Sequence, residues 1–363
     1  MPADARLESA VVSAWQRRGW LAWLLAPLSV VYGVILGARR LAYATGLIPV
    51  ARLPVPVVVI GNLYVGGTGK TPLTIALVQA LRRRGWRPGV VSRGYGRTSS
   101  VARIVAADDL PVDVGDEPLV TARATTVPVA VGAARSHAAQ LLLARHPECN
   151  VLIADDGLQH LRLARDLELA LLDDRGLGNG WLLPAGPLRE PAARLGRVDA
   201  IVRHQSGSAA PTPMPTSAGD VPQFAMVSQL GETIHRLGDR SQTLTLTELV
   251  RRQRAAALTI TAAAGIGVPQ RFFGMLRAAG LAVVELPLPD HYDFQDSPLS
   301  SGSTHLVLVT EKDAVKCERI DALRKDPRIW VVPLQARIDD RLVDFVAARL
   351  EQHRKSPHGS SAA

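Results

Sequence analysis

The sequence predicts an α/β protein: a mostly parallel sheet, a smaller second α/β unit after it, and an apolar helix ahead of both. Three observations carry this prediction. After Pro54, short β-branched runs alternate with amphipathic stretches, the rhythm of strands joined by crossover helices. A run rich in Ser, Ala, Pro and Gly, residues 205–222, separates two such series and reads as a linker or long surface loop. Residues 20–37, WLAWLLAPLSVVYGVILG, contain no charged side chain. With 363 residues, 47% of them hydrophobic, each unit has enough apolar side chains for its own core. The expected divisions are a membrane-associated helical region over 1–50, the larger unit over 51–225, the second unit over 226–350 and a polar, disordered tail over 351–363.

The apolar N-terminal stretch is bounded by Arg17 and Arg18 on one side and Arg39 and Arg40 on the other, with tryptophans at 15, 20 and 23. A full span needs about 20 apolar residues, and Pro27, Ser29 and Tyr32 weaken this one. Basic ends and tryptophans suit a helix lying among lipid headgroups. A buried core helix and a true span stand as the other two readings. Asp4, Glu8 and the lack of a small-residue cleavage site argue against a signal peptide. The formal net charge of +9, from 42 Lys+Arg against 33 Asp+Glu, attracts anions: nucleic acid, anionic headgroups or a phosphorylated substrate. Aromatic residues make up only 4% and form no basic-aromatic stripe, which argues against nucleic acid. Cys149 and Cys317 match neither a zinc spacing nor a disulfide framework and read as buried thiols in a reducing compartment.

The first strand, Val57–Ile60, runs into Gly61-Asn62-Leu63-Tyr64-Val65-Gly66-Gly67-Thr68-Gly69-Lys70-Thr71 and then directly into a helix. That order is the context of a P-loop. Residues 64–71 turn backbone N–H groups around phosphate oxygens, Lys70 reaches the β- and γ-phosphates, and the Thr71 hydroxyl can ligate Mg²⁺. Position 64, where the usual pattern has glycine, is Tyr64, so the loop is a variant. In the helix that follows, Leu73, Ala76, Leu77, Ala80 and Leu81 fall at helical spacing, Pro72 sits in the first turn and Gly85 ends it. Further strands are expected over Gly89–Ser92, Val127–Val131, Val151–Ala154, Leu167–Leu172 and Asp199–Val202. The run Val151–Ala154 ends in Asp155-Asp156, and a P-loop needs a carboxylate on a neighbouring strand end to hold its metal; Asp155 or Asp156 supplies it. The second series comprises a strand near Leu258–Thr261, a helix over Pro269–Ala279, and strands near Leu281–Leu286, His305–Val309 and Trp330–Pro333. Thr310-Glu311-Lys312-Asp313, after one of these, is not a guanine-reading NKxD pattern, so ATP is the expected donor.

Seven ordered segments go further. Gly61-Asn62 with Gly66–Pro72, Ser92–Arg97, Gly115-Asp116-Glu117-Pro118, Asp155–His160, Leu183–Glu190, Asp290–Phe294 and Thr310–Ala314 together resemble the tetraacyldisaccharide 4'-kinase family, the lipid A 4'-kinases, over roughly residues 15–350. The resemblance implies transfer of the ATP γ-phosphoryl group to the 4'-hydroxyl of a tetraacyldisaccharide 1-phosphate, giving lipid IVA, by two α/β units with the site in the cleft between them. It implies ATP and Mg²⁺ as cofactors, a lipid acceptor, and a monotopic or peripheral place on the cytoplasmic face of the inner membrane. The family's base is the aspartate of the GDEP motif assisted by the histidine of the DHYDF motif, here Asp116 and His291. Lys70 and Arg189 join them in catalysis. Asn62, Arg93, Tyr95, Arg135, Gln159 and His160 fall on the substrate side, and Glu190 beside Thr71, Asp155 and Asp156 on the metal side. The strongest rival is a membrane-associated P-loop ATPase switch, which shares the glycine-rich loop but has no need of Asp116 and His291. A nucleic-acid-dependent NTPase is suggested by charge alone.

Overall fold

The computed structural model describes residues 15–205, 215–296, 298–299 and 304–355. The first 14 residues, with Asp4 and Glu8, the centre of the 205–222 run, and the tail beyond Lys355 lie outside the described residues.

Among the described residues, fifteen strands follow in chain order: β1 Val57–Gly61, β2 Pro88–Ser92, β3 Arg103–Ile104, β4 Val129–Val131, β5 Val151–Ala154, β6 Leu167–Asp173, β7 Ala200–Gln205, β8 Gln223–Leu230, β9 Thr233–Arg236, β10 Asp239–Thr245, β11 Ile260–Ala264, β12 Val283–Pro287, β13 Leu306–Thr310, β14 Ile329–Val332 and β15 Leu334–Ile338. They form a nine-stranded sheet, β15-β8-β7-β6-β1-β5-β2-β4-β3, and a six-stranded sheet, β10-β9-β14-β13-β11-β12. In the first sheet β1 pairs parallel with β5 and β6, and only the edge strands β3 and β15 run antiparallel. All residues of β1, β2, β5 and β6 are buried. Strands covered by helices on both faces read as continuous apolar runs, which is why the β-branched signal located them. The helix Lys70–Arg83 packs Leu73, Leu77 and Leu81, all fully buried, against the sheet. Deleting one such side chain costs about 2–5 kcal/mol.

Two features depart from the sequence expectation. The strand near Leu258–Thr261 is shifted to Ile260–Ala264, where three alanines of low strand propensity are held by parallel pairing to β12 and β13. The chain also returns to the first sheet after β14: β15 pairs with β8, and the helix Asp340–Lys355 buries Leu342, Val346 and Leu350 in the same core as Leu73 and Leu77. Residues 334–355 therefore lie on the first unit, not on the second as the 226–350 division expected, and helix continues past Glu351. Leu342, Val346 and Leu350, four apart, supply the apolar face that holds it there.

The helix Trp20–Ala44 lies along the first unit. Its inner face is pinned: Ser29 Oγ donates to Leu182 O at 2.8 Å and accepts from Ala185 N, Tyr32 OH donates to Arg189 O, and Arg40 pairs with Glu190. Its outer face leaves Trp20, Trp23, Leu24, Leu28, Val31, Val34 and Ile35 exposed. The buried-core reading of this stretch does not hold.

Candidate active site

The P-loop leaves the carboxyl end of β1 beside β5, the position where open parallel sheets present ligands to helix N-termini. Gly66 and Gly69 adopt φ of +95° and +99°, and a Cβ on Gly69 would lie 2.7 Å from the His204 ring. Neither position suits a side chain. Two groups hold the loop's carbonyls: Arg175 donates to Gly67 O at 2.8 Å and His204 Nδ1 to Thr68 O at 2.7 Å. A trans peptide sets each carbonyl opposite the following N–H, so these bonds turn the amides of Thr68 and Gly69 the other way. Tyr64 is buried beneath the Arg175 guanidinium, 4.3 Å from its ring centroid. The Val65 N–H is spent on Pro187 O, so of the predicted nucleotide contacts the backbone from Gly66 onward is the available part.

Lys70 Nζ donates to Asn62 Oδ1 at 3.1 Å and stands 3.6 Å from Asp156 Oδ1. Asp156, at φ +48°, accepts from Arg189 at 3.1 Å, and its backbone carbonyl accepts from Arg135 at 2.6 Å. Burial pushes the Asp156 carboxyl up, but Lys70, Arg189 and Arg135 outweigh it and hold the group below the usual range. Asp155 is the opposite case. Burial, with Glu117 and Asp156 nearby, pushes it up to about 7 against the pull of Lys70 and of the Thr74 hydroxyl, which donates at 3.1 Å. Glu190 accepts from Gln159 at 2.8 Å, pairs with Arg40 and lies 3.6 Å from Arg194. Gln159 also donates to Asn62 O, which connects the N-terminal helix, through Arg40 and Glu190, to the residue that orients Lys70. Burial and the arginines around it push His160 down to about 4, so its ring is neutral. Arg93 is exposed, near enough to Arg135 to act on its charge.

Across the cleft, Asp116 starts the helix Asp116–Thr125 and His291 stands in the second unit at φ +62°. The two meet: His291 Nδ1 donates to Asp116 Oδ2 at 3.0 Å. Lys312 Nζ lies 3.4 Å from His291 Nε2 and bonds Glu117 at 3.1 Å and Asp290 at 3.0 Å. Because an ammonium only donates, Nε2 is the accepting nitrogen and Nδ1 carries the proton. Burial alone would raise Asp116; the His291 hydrogen bond and the Lys312 and Lys316 ammonium groups hold it well below the carboxylate range. Tyr95 stacks near His291, ring centroids 4.8 Å apart. A cavity of about 150 Å³ lined by Gly67, Thr71, Glu117, Gly267, Arg271 and Lys312 connects the P-loop with this side, and another of about 170 Å³ opens onto Tyr95, Asp116 and His291.

Several contributors escaped sequence reasoning. Arg175, His204 and Gly267 touch the P-loop only through tertiary contact, and Arg271 stands one step behind them, 3.3 Å from the Asp173 carboxylate that pairs with Arg175. Thr310 and Asp313 hold the second unit's backbone in place. The Thr310 hydroxyl caps the helix Glu311–Cys317, and Asp313 accepts from Gly265 N, fixing the turn that approaches the P-loop. The T-x-x-D spacing was the available signal for that cap.

A family model described as Tetraacyldisaccharide-1-P 4'-kinase matches residues 21–351. A tetraacyldisaccharide 4'-kinase of Herminiimonas arsenicoxydans is 51% identical over 353 residues, covering 96% of this chain and 97% of that one. The Bordetella petrii protein of the same description is 51% identical over 342 residues, covering 93% and 94%. Among solved structures, the "apo" form of LpxK from Aquifex aeolicus in complex with ATP aligns with a TM-score of 0.73 at 29% identity, over 91% of this chain and 99% of that one.

Proposed function

The chain belongs to the tetraacyldisaccharide 4'-kinase family and is an ATP-dependent kinase of lipid A biosynthesis, and we propose that Asp116 and His291 act on its acceptor while the P-loop and its arginines hold the donor. The carrying observation is the Asp116–His291 hydrogen bond, made between two units at a cleft that the P-loop shares. A nucleotide-driven switch has no use for that pair.

In the transfer, the acceptor's 4'-oxygen bonds the γ-phosphorus as the bond from that phosphorus to the β,γ-bridging oxygen breaks. The bridging electron pair leaves with ADP, and the hydroxyl proton passes to Asp116. Held below its ordinary range, Asp116 is ionised at neutral pH and is a weak base, which suits a loose phosphoryl transition state that asks little of the proton acceptor until late. His291 orients it. Lys70 and Arg189, which hold Asp156 between them here, turn to the phosphate charge. Arg93, Arg135, Asn62, Tyr95, Gln159 and His160 surround donor and acceptor. The buried Thr68 hydroxyl, Arg135 Nε and His160 Nε2 have no hydrogen-bond partner among the described residues, as suits atoms facing a polar ligand.

A bound Mg²⁺ would supply positive charge against the nucleotide's phosphates. Asp155 and the Thr71 hydroxyl fit it best: a buried carboxyl raised by two acidic neighbours gains from a cation. Asp156 stands second in this set. Glu190 fits a different role, because its oxygens are already held by Arg40, Gln159 and Arg194; it braces Gln159 and the N-terminal helix.

The exposed face of the helix Trp20–Ala44 rests on the cytoplasmic surface of the inner membrane. The acceptor's acyl chains stay in the bilayer, and a helix pinned along the protein by Ser29, Tyr32 and Arg40 suits lying on lipid better than spanning it.

The test follows label from γ-labelled Mg·ATP onto tetraacyldisaccharide 1-phosphate in mixed micelles. Asp116→Asn should lose about 10²- to 10⁴-fold, the worth of a positioned base, and Lys70→Ala should lose transfer too. ATP hydrolysis without lipid labelling, indifferent to Asp116→Asn, overturns the reading.

A further inference from the structure

The helix Glu311–Cys317 carries two lysines four residues apart, Lys312 and Lys316, on the face turned toward the first unit. Lys312 is fully engaged by Glu117, Asp290 and His291. Lys316 is different. Its side chain is 11% exposed, its Nζ lies 3.3 Å from Asp116 Oδ2, and that nitrogen has no aligned hydrogen-bond acceptor among the described residues. A buried ammonium is costly unless a charge pairs it, and Asp116 is the partner at ion-pair distance. The other Asp116 oxygen, Oδ1, accepts from the Glu117 N–H at 3.0 Å. The carboxylate is therefore fixed at one end by its own helix and at the other by two groups of the second unit.

We propose that Lys316 is a positioning residue for phosphoryl transfer: its ammonium clamps Asp116 Oδ2 beside His291 Nδ1, so that the carboxylate meets the acceptor hydroxyl charged and in one orientation. This rests on Asp116 being the base. The pairing also resets the site. Once Asp116 has taken the hydroxyl proton, Lys316 is left buried beside a neutral acid, which favours passing that proton to solvent through the cavity lined by Tyr95, Asp116, His291, Lys316 and Arg319. The charged and titratable groups facing Asp116 are Glu117 from its own helix, Tyr95 from the glycine turn, Asp290, His291 and Asp293 from the second unit's turn, and Lys312, Lys316 and Arg319 from the lysine helix and the turn after it. Asp313, one turn back, acts on Lys316 from below. Among these, Lys316 and His291 reach Oδ2 directly.

The experiment compares Lys316→Met and Lys316→Arg in the full chain, each with Asp116 intact and with Asp116→Asn, measuring lipid phosphorylation against pH, KM for ATP, and binding of a non-hydrolysable ATP analogue as the check on folding. With Asp116 intact, Lys316→Met should cost about tenfold or more in kcat while KM for ATP stays within about twofold, and the acid limb of kcat should rise by about one pH unit toward the ordinary carboxylate range. Lys316→Arg should restore most of both. In the Asp116→Asn protein, Lys316→Met should cost nothing further, because the group it positions is gone. An unmoved acid limb, a full additional loss in Asp116→Asn, or no rescue by arginine overturns the proposal. If Lys316→Met does not bind the analogue, Lys316→Gln takes its place in the same comparison. Full activity in Asp116→Asn removes the base assignment itself, whereas an inactive Asp116→Asn beside an indifferent Lys316→Met removes the clamp alone.

Discussion

Gly267 of the second unit packs against Gly67 of the P-loop, and replacing it with alanine tests whether that approach belongs to the working enzyme. A Cβ on Gly267 would lie 2.6 Å from Gly67 N and 2.7 Å from Gly67 Cα. Ordinary contact needs about 3.4 Å or more, so one backbone must retreat by roughly 0.8 Å. Neither can yield as a side chain does. Gly67 sits between two left-handed glycines with its carbonyl held by Arg175, and the 265–268 turn is tied down through Asp313. A misplacement of about 1 Å in a site that works by positioning costs on the order of 10²-fold. Gly267→Ala is therefore expected to lower kcat for lipid phosphorylation about a hundredfold at saturating ATP, with a smaller effect on ATP affinity, since the loop and the helix behind it remain intact. Gly274→Ala is the control. It lies in the helix that follows, Pro269–Ala278, a Cβ there meets nothing within 4 Å, and the exchange should stabilise by up to about 1 kcal/mol without touching kcat. Initial rates and equilibrium nucleotide binding on the two variants decide it: a Gly267→Ala enzyme with the parent's kcat shows that the two glycines do not meet during turnover.

Two further outcomes follow from the geometry. The folded Asp155 carboxyl titrates near 7, above the ordinary value of about 3.9, so its contribution to stability is fully present at low pH and is lost as pH rises through about 7; denaturation of metal-free protein from about pH 4 to about pH 8 should show that decline and Asp155→Asn should flatten it, while parallel curves for the two proteins count against a buried, raised acid. Leu28 and Val31 are each 57% exposed on the outer face of the N-terminal helix, so Leu28→Glu with Val31→Glu should leave the melting temperature unchanged yet lower partition onto anionic vesicles by at least tenfold, given about 1.5–3 kcal/mol for each apolar side chain fully buried; undiminished partition would mean that another surface meets the lipid.

What could be read from the sequence divides by how far apart the cooperating residues stand. The P-loop is legible because backbone chemistry needs its glycines, lysine and threonine contiguous, and β1 because Val57–Ile60 is covered on both faces and admits only apolar side chains. β8 and β15 were invisible for the converse reason: they lie toward one edge of the sheet and mix exposed with partly buried positions, so no apolar run marks them. The pairing of Asp116 with His291, 175 residues apart, has no local signature at all. Each alone is an ordinary loop acid and an ordinary histidine, and only the ordered set of motifs connected them. Lys316, Arg175, His204 and Gly267 lie further still from anything a pattern could mark, because each works by touching a residue in another element. That distribution has a functional logic. The P-loop backbone is one continuous segment of the first unit, whereas Asp116, the proposed acceptor of the hydroxyl proton, is held from both units at once. The phosphate-facing backbone of the loop therefore lies in the first unit alone, but the Asp116 carboxylate is held in one orientation only where His291 and Lys316 stand against it. A site divided in this way would leave Asp116 unheld if the units moved apart, a restraint on transfer to water that suits a kinase acting at a lipid surface.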